Sequence, residues 1–274
     1  MSTPVTVGVL ALQGGFHEHL NLLSRAAAIL SSQPAATLPS QAAALSSQTP
    51  TALSASFDFI QVRTPADLLR CSALVIPGGE STTIANLARQ SGLMQPLRDF
   101  VQTQKKPVWG TCAGLILLAD EARGTKIGGQ ELIGGLAVRV QRNHFGRQVA
   151  SFTTLLALPF LAAESEAGAE AHPPEFQAVF IRAPIVEAVL PAKGQPVEVL
   201  ARLPGDDMGD GRNSRAAEGG GREMGGRKIQ GDKGGRIVAV RQGNIVGMSF
   251  HPELTSDARI HAWWLREVVK SCGR

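Results

Sequence analysis

The chain has 274 residues and a formal net charge of +4, with 43% apolar and 18% charged residues. This composition suits a globular protein of one large domain or two small ones, and no apolar run approaches the roughly 18 residues that a membrane-spanning helix needs. Basic residues are dispersed and aromatic residues make up only 5% of the chain, so we expect neither membrane insertion nor nucleic-acid binding. The three cysteines are too few and too scattered for a disulfide framework or a cysteine-based metal site.

The first predicted strand is the apolar run at residues 5–10, which is typical of a strand buried on both faces of a parallel sheet. Because neither a signal peptide nor a basic transit segment precedes it, we expect a cytoplasmic protein. A loop at residues 13–15 follows, and the apolar stripe of Leu20, Leu23, Ala27 and Leu30 predicts a helix over residues 16–30. His17 and His19 lie on this helix, and we predict surface histidines rather than metal ligands.

Two segments differ in composition from the rest of the chain. Residues 31–56 consist of Ala, Ser, Gln, Pro, Thr and Leu without any charged residue. Residues 204–235 are rich in glycine, and their acidic and basic residues balance. Because neither segment has hydrophobic periodicity, we predict that both are disordered insertions in a single domain that spans residues 1–274.

Outside these segments, the hydrophobic pattern predicts alternating strands and helices, followed by a run of strands. The predicted strands lie at residues 57–62, 73–76, 136–140, 149–158, 178–182, 197–200, 236–240 and 244–250, with one more at the start of residues 107–119. The predicted helices lie at residues 65–70, 84–90, 94–104 and, capped by Ser256 or Asp257, up to residue 269. The early alternation predicts an α/β fold with an open, mostly parallel sheet flanked by helices.

The strand at residues 73–76 leads into the loop Pro77-Gly78-Gly79-Glu80-Ser81-Thr82-Thr83. In one interpretation this is a βα loop in which Ser81 or Thr82 caps the following helix. In the other, its glycines expose backbone N–H groups at the carboxyl edge of the sheet, where ligands bind in open α/β folds, and Gly79 donates to an oxyanion. Both interpretations can hold together.

Residues 107–119 predict a short buried strand, a sharp turn and an apolar helix, with Cys112 at the turn. Gly110 and Gly114 complete a Gly-x-Cys-x-Gly pattern, the cysteine counterpart of the Gly-x-Ser-x-Gly nucleophile elbow. In that elbow the nucleophile has a strained backbone. The two flanking positions must be glycine, because a Cβ there would prevent the close approach of strand and helix. We expect an exposed thiol at a helix N-terminus, whose partial positive charge favours thiolate. The alternative is a buried structural cysteine.

The segment His251-Pro252-Glu253 supplies a base and a carboxylate just past an apolar strand. Because the proline biases His251 toward extended geometry, the two side chains should project from the same face. The carboxylate can then orient the imidazole. Together with Cys112 these residues make a constellation of nucleophile, base and orienting acid.

Six sequence blocks, in the same order along the chain, resemble the class I (triad-type) glutamine amidotransferases, and within them the glutaminase subunits of pyridoxal 5′-phosphate synthase. The blocks are residues 8–14, 77–83, 110–115, 142–148, 180–184 and 249–255. They span nearly the whole chain outside the two predicted insertions. His144 departs from the family pattern, in which a small polar residue is usual at this position.

The resemblance implies a set of site residues in a single glutaminase domain with the elbow at its centre. Cys112 is the implied nucleophile, and His251 and Glu253 complete the triad. The backbone N–H groups of Gly79 and Ala113 form the implied oxyanion hole. The residues implied to bind L-glutamine are Gly79, Glu80, Ser81, Arg142, Ile181 and Arg182. The resemblance implies no metal and no cofactor.

The same resemblance implies hydrolysis of L-glutamine to L-glutamate and ammonia through a thioester. The ammonia would pass to a pyridoxal 5′-phosphate synthase subunit, the implied partner, for vitamin B6 biosynthesis. One alternative is a γ-glutamyl-type cysteine hydrolase, which should lack the blocks at residues 142–148 and 180–184. Another is an inactive partner-binding scaffold, which would be expected to lose a triad member.

Overall fold

The structure is a computed structural model that describes residues 3–32, 55–124, 129–142, 151–164, 174–192, 194–203 and 235–273. The strands in these ranges are β1 (Val5–Leu10), β2 (Phe57–Val62), β3 (Ala73–Ile76), β4 (Val108–Thr111), β5 (Ala119–Arg123), β6 (Leu136–Gln141), β7 (Ser151–Ala157), β8 (Glu175–Ile181), β9 (Ile185–Val189), β10 (Glu198–Leu203), β11 (Arg236–Gln242) and β12 (Ile245–Met248). The α-helices are α1 (Phe16–Ser32), α2 (Pro65–Leu69), α3 (Ser81–Gln90), α4 (Met94–Arg98), α5 (Ala113–Leu118) and α6 (Arg259–Ser271).

Ten of the described strands form one sheet, in the order β2-β1-β3-β4-β12-β11-β9-β6-β5, with β10 also paired to β11. The part from β2 to β12 is parallel throughout, and β5 and β6 are parallel as well. Strand β11 pairs antiparallel with β12, β9 and β10. Strands β7 and β8 form a separate antiparallel pair. The predicted α/β fold with an open, mostly parallel sheet flanked by helices is therefore confirmed.

The parallel part of the sheet is buried on both faces, as strand β3 illustrates. Ala73 and Val75 pack into the apolar cluster that includes the buried residues of α1 and α6. Leu74 and Ile76 pack into the cluster on the other face, which includes the buried residues of α3, α4 and α5. Successive side chains of a strand point to opposite faces, so a continuous apolar run supplies both cores.

Some predicted elements differ from the observed ones. The helix predicted for residues 94–104 is α-helical only in α4 and continues as a π-helical turn over Asp99–Thr103. Strand β5 was not predicted because it is an edge strand whose residues are mostly exposed and carry no apolar run. Strand β9, which is separated from β8 by three residues, was not predicted either.

Much of the sequence that the insertion predictions concern lies outside the described residues. Residues 33–54 and 204–234 are in this category, as are residues 143–148 with His144. Helix α1 extends through Ser32, two residues into the segment that was predicted as an insertion. None of the helices in the described ranges combines the length and apolar content that a bilayer crossing requires.

Candidate active site

Cys112 lies at the turn between β4 and α5, in the strained backbone that the elbow pattern predicts. Its φ of 47° and ψ of −99° place a non-glycine residue in a region that L-amino acids rarely adopt. A Cβ on Gly110 would lie 2.5 Å from the carbonyl carbon of Gly114, and a Cβ on Gly114 would lie 2.1 Å from the carbonyl oxygen of Ile76. Both positions require glycine because a side chain there would force strand and helix apart.

The side chain of Cys112 is buried, with only 7% of the residue exposed. The expectation of an exposed thiol is therefore wrong. The covering groups are His251 and the loop after β3, since a Cβ on Gly78 would lie 2.2 Å from Cε1 of His251 and 3.3 Å from Cβ of Cys112. A substrate must reach the sulfur through a confined space rather than from an open surface.

His251 reaches Cys112 because β12 pairs with β4 in parallel, so the carboxyl ends of the two strands meet. Met248 pairs with Thr111, and the N–H of Cys112 donates to the carbonyl of Met248 at 2.8 Å. Three residues beyond Met248, the imidazole of His251 lies beside the side chain of Cys112, since both line the same point next to Gly78 and the thiol acts on the pKa of His251. The sheet thus joins two residues that are far apart in the sequence.

Glu253 contacts the other side of the imidazole, as the two-residue spacing predicts. Nδ1 of His251 lies 2.7 Å from Oε1 of Glu253, which is 4% exposed. Burial favours a raised pKa for Glu253, but His19 and His251 outweigh it and hold the pKa well below its usual range. Burial also favours a lowered pKa for His251, but Cys112 and Glu253 outweigh it and raise the pKa. The arrangement can hold a proton on His251 between a carboxylate and a sulfur.

The loop after β1 packs directly against the loop after β3, because these strands are neighbours in the sheet. The side-chain oxygen of Gln13 accepts a hydrogen bond from the backbone N–H of Glu80 at 2.8 Å. Gly79 has a φ of 153°, and a Cβ on it would lie 2.3 Å from that oxygen of Gln13. Sequence reasoning did not single out Gln13, although its place at the carboxyl end of β1 is a signal for a site residue.

Glu80 is the N-cap of α3, so the prediction of Ser81 or Thr82 in that role is wrong. Its carboxylate accepts hydrogen bonds from the backbone N–H groups of Thr82 at 3.1 Å and Thr83 at 2.6 Å. Nη2 of Arg142 lies 3.1 Å from Oε1 of Glu80. Ser81 is buried, and its hydroxyl forms a hydrogen bond with a side chain of a later loop. Three of the residues implied to bind glutamine thus meet at one helix N-terminus.

The Glu80 cap of α3 should make the free energy of unfolding depend on pH. Burial favours a raised pKa for Glu80, but hydrogen bonds from Thr83 and Thr82 lower it to about 2. A group with a depressed folded-state pKa stabilises the fold above its unfolded pKa and loses that effect as pH falls through the folded value. We expect Glu80→Gln to lower the free energy of unfolding by about 1 kcal/mol at pH 7, a modest value because the side chain is partly exposed. Urea unfolding should show the difference shrinking between pH 5 and about pH 2. If the wild type and Glu80→Gln differ in unfolding free energy by the same amount at pH 7 and pH 2, the carboxylate does not act as this cap.

Ile181 and Arg182 lie at the carboxyl end of β8, and both are exposed. The N–H of His251 donates to the carbonyl of Val179 at 2.8 Å, which places this end of β8 beside the imidazole. Arg182 has a φ of 43°, a positive value that costs a non-glycine residue about 1 kcal/mol or more. Such strain is typical of segments whose backbone is held in place for binding.

Comparison with known proteins identifies the family. Residues 9–213 and 223–270 match the model of the SNO glutamine amidotransferase family. The chain belongs to this family. The resemblance predicted from the six sequence blocks is therefore confirmed.

Two curated relatives show how far the similarity of this glutamine amidotransferase extends. The chain is 40% identical over 266 residues to the probable pyridoxal 5′-phosphate synthase subunit PDX2 of Arabidopsis thaliana. The aligned region covers 96% of this chain and 85% of the relative. It is 39% identical over 271 residues to the pyridoxal 5′-phosphate synthase subunit PdxT of a Nocardioides species, with 98% and 99% covered. A crystal structure of a glutamine amidotransferase aligns with a TM-score of 0.63 and 34% identity, covering 96% and 98% of the two chains.

One buried residue of this amidotransferase contradicts the sequence analysis. His19 was predicted to lie on the surface with His17, but it is completely buried, whereas His17 is exposed. Nε2 of His19 lies 3.3 Å from Oε2 of Glu253. The buried stripe of α1 includes residues 19, 22, 23, 26 and 30, which share one helical face. The predicted stripe, with residues 20 and 27, was rotated and left His19 outside.

Proposed function

We propose that this chain is a single glutaminase domain that hydrolyses L-glutamine to L-glutamate and ammonia. The observation that carries the proposal is the assembly of Cys112, His251 and Glu253 at the carboxyl edge of the sheet. A buried nucleophile, a base in contact with it and a carboxylate behind the base form the constellation for covalent acyl transfer. Membership of the glutamine amidotransferase family selects glutamine as the substrate.

In the first half of the reaction, the sulfur of Cys112 attacks the carbon of the glutamine carboxamide. The carbonyl oxygen becomes an oxyanion, which accepts hydrogen bonds from the backbone N–H groups of Ala113 and Gly79. Ala113 is the first residue of α5, where N–H groups have no partner within the helix. His251 then gives its proton to the amide nitrogen, the C–N bond breaks, ammonia leaves and a γ-glutamyl thioester remains.

In the second half, His251 takes a proton from water while the water oxygen attacks the thioester carbon. The C–S bond breaks, glutamate leaves, and the sulfur and imidazole return to their starting state. Glu253 stays ionised throughout and stabilises the imidazolium. No step requires a metal or a cofactor.

The residues at the N-terminus of α3 suit the amino acid end of the substrate. Arg142 has guanidinium donors beyond the one that faces Glu80, and these can bind the substrate carboxylate. Glu80 fixes Arg142 and supplies negative charge near the substrate ammonium. Ser81 lies in the same turn, and Ile181 and Arg182 lie at the end of β8 that adjoins His251.

We further propose that the ammonia passes to a pyridoxal 5′-phosphate synthase subunit in a heteromeric complex for vitamin B6 biosynthesis. The support comes from the relatives, which are named pyridoxal 5′-phosphate synthase subunits. They align with this chain over nearly its full length. Free ammonia at neutral pH is mostly ammonium, which is not a nucleophile, so direct transfer avoids its loss. A reducing cytoplasm would keep the Cys112 thiol free.

A titration with the synthase subunit tests this function. We expect glutamate release by the isolated chain to be slow and to rise at least about tenfold on saturation with the synthase subunit, which corresponds to about 1.4 kcal/mol of transition-state stabilisation. Assays of γ-glutamyl peptides under the same conditions address the alternative hydrolase, which would prefer them to glutamine. Absence of glutamate release with the synthase subunit present would contradict the proposal and favour an inactive scaffold.

A further inference from the structure

A pair of buried histidines lies behind the candidate triad, and the mechanism above does not use it. Both His19, on α1, and His261, on α6, are completely buried. Nδ1 of His19 lies 3.0 Å from Nε2 of His261. Nε2 of His19 lies 3.3 Å from Oε2 of Glu253 and 3.3 Å from the hydroxyl of Thr111. A row of side chains thus runs from α6 through α1 to the carboxylate.

The hydrogen-bond partners determine which ring nitrogen of each histidine carries the proton. Nδ1 of His261 has no hydrogen-bond partner among the described residues, so a proton there would be a buried donor without an acceptor. The proton of His261 therefore sits on Nε2 and is donated to Nδ1 of His19. The proton of His19 then sits on Nε2, which lies 3.3 Å from both Oε2 of Glu253 and the hydroxyl of Thr111. Burial holds the pKa of His261 well below its usual range, which agrees with a neutral ring.

The second oxygen of Glu253 depends on this arrangement. Oε1 contacts His251, whereas Oε2 accepts no hydrogen bond of standard geometry from any described residue. The N–H of His19, 3.3 Å away, is the polar group that faces Oε2. An unsatisfied buried carboxylate oxygen is costly, so the carboxylate would rotate or take up a proton if His19 were apolar. Either change would weaken its contact with His251.

Neither metal binding nor simple packing accounts for the histidine pair. No group of three or more His, Cys, Asp or Glu residues in the described ranges could hold a metal ion. A purely packing role would be served by an apolar residue, since Trp109 contacts both imidazoles edge-on at centroid distances of 5.3 and 4.9 Å. An apolar residue would leave Oε2 of Glu253 facing hydrocarbon.

We propose that His19 is a positioning residue, which holds Glu253 in the orientation that keeps His251 protonated beside Cys112. The inference rests on the proposed function. His19 does not touch the reacting atoms and acts through Glu253. Three titratable side chains have neighbours that can affect their charge. Cys112 and Glu253 face His251, and His251 and His19 face Glu253. His261 lies behind His19.

The test is the pH dependence of Cys112 alkylation by iodoacetamide in the isolated chain. A Cys272→Ser background removes the exposed cysteine, and Cys71 reacts little because burial raises its pKa to about 11. We expect His19→Leu to raise the midpoint pH of alkylation by about one unit, because the imidazolium that favours thiolate loses support. His17→Leu, an exposed change on the same helix, should have the wild-type midpoint.

His19→Gln is the conservative variant, because its amide offers a donor to Glu253 and an acceptor to His261. We expect it to retain the wild-type midpoint, a rescue that a packing role would not predict. If His19→Leu does not fold, His19→Asn replaces it with the same expected shift, because its shorter side chain cannot reach the carboxylate. A wild-type midpoint in His19→Leu, or an equal shift in His19→Gln, would overturn the proposal.

Glutamate release by Cys112→Ala, measured with the synthase subunit, separates two kinds of failure. Persistent turnover in Cys112→Ala would overturn the proposed function and this inference together. An inactive Cys112→Ala with a wild-type midpoint in His19→Leu would overturn only the role of His19.

Discussion

Cys112→Ala is expected to abolish glutamate release in the presence of the synthase subunit. The thioester cannot form without the sulfur, and loss of a nucleophile in comparable triads costs about 10⁴-fold or more. The fold should persist, with a change in unfolding free energy of about 1 kcal/mol, because one buried sulfur atom is lost and no charge is left unpaired. Glutamate release and urea unfolding, measured on the same preparation, check both parts.

The other two cysteines are the controls for this result. Cys71 is buried in the core and Cys272 is exposed near the C-terminus, and neither contacts the site. Cys71→Ala and Cys272→Ala should keep wild-type turnover. Turnover by Cys112→Ala, or loss of turnover in Cys71→Ala without loss of folding, would show that the nucleophile is assigned wrongly.

His251→Asn should lose more activity than Glu253→Gln. His251 carries the proton in both halves of the reaction, whereas Glu253 orients and stabilises the imidazolium. Removal of general acid–base help typically costs about 10²- to 10⁴-fold, and we expect His251→Asn at the upper end of this range. Steady-state kcat and KM for glutamine, with the synthase subunit saturating, are the measurement.

Two results for His251→Asn and Glu253→Gln would contradict the proposed roles of His251 and Glu253. Wild-type turnover in His251→Asn would show that the imidazole beside Cys112 has no catalytic role. A larger loss in Glu253→Gln than in His251→Asn would show that the carboxylate does more than orient the imidazole. Circular dichroism of each variant distinguishes these outcomes from misfolding.

Local pattern was sufficient to predict the elbow and the contact between His251 and Glu253. Both depend on residues within a few positions of one another, so the geometry follows from strand, turn and proline stereochemistry. The contact between His251 and Cys112 depends instead on the parallel pairing of β12 with β4. Strand order is a non-local property, so the residue types and the family resemblance could suggest that these residues meet, but the local pattern could not place them in contact.

The errors also have physical reasons. The thiol of Cys112 is buried because His251 and the loop at Gly78 cover it, and neither neighbour can be read from the local sequence. Glu80 caps α3 although Ser and Thr are the more frequent caps, and its carboxylate also pairs with Arg142, which follows β6 and is distant in the sequence. The burial of His19 could have been predicted from the spacing of apolar residues, had the stripe on α1 been placed correctly.

Labelling with a diazoketone analogue of glutamine is the sharpest test of Cys112 as the nucleophile. The analogue places an electrophilic carbon where the carboxamide of the substrate would lie, so it alkylates the group that attacks glutamine. With the synthase subunit present, we expect one adduct per chain, located by peptide mass spectrometry on Cys112 and prevented by excess L-glutamine. An adduct on another residue, or labelling of Cys112 that L-glutamine does not prevent, would contradict the proposed mechanism.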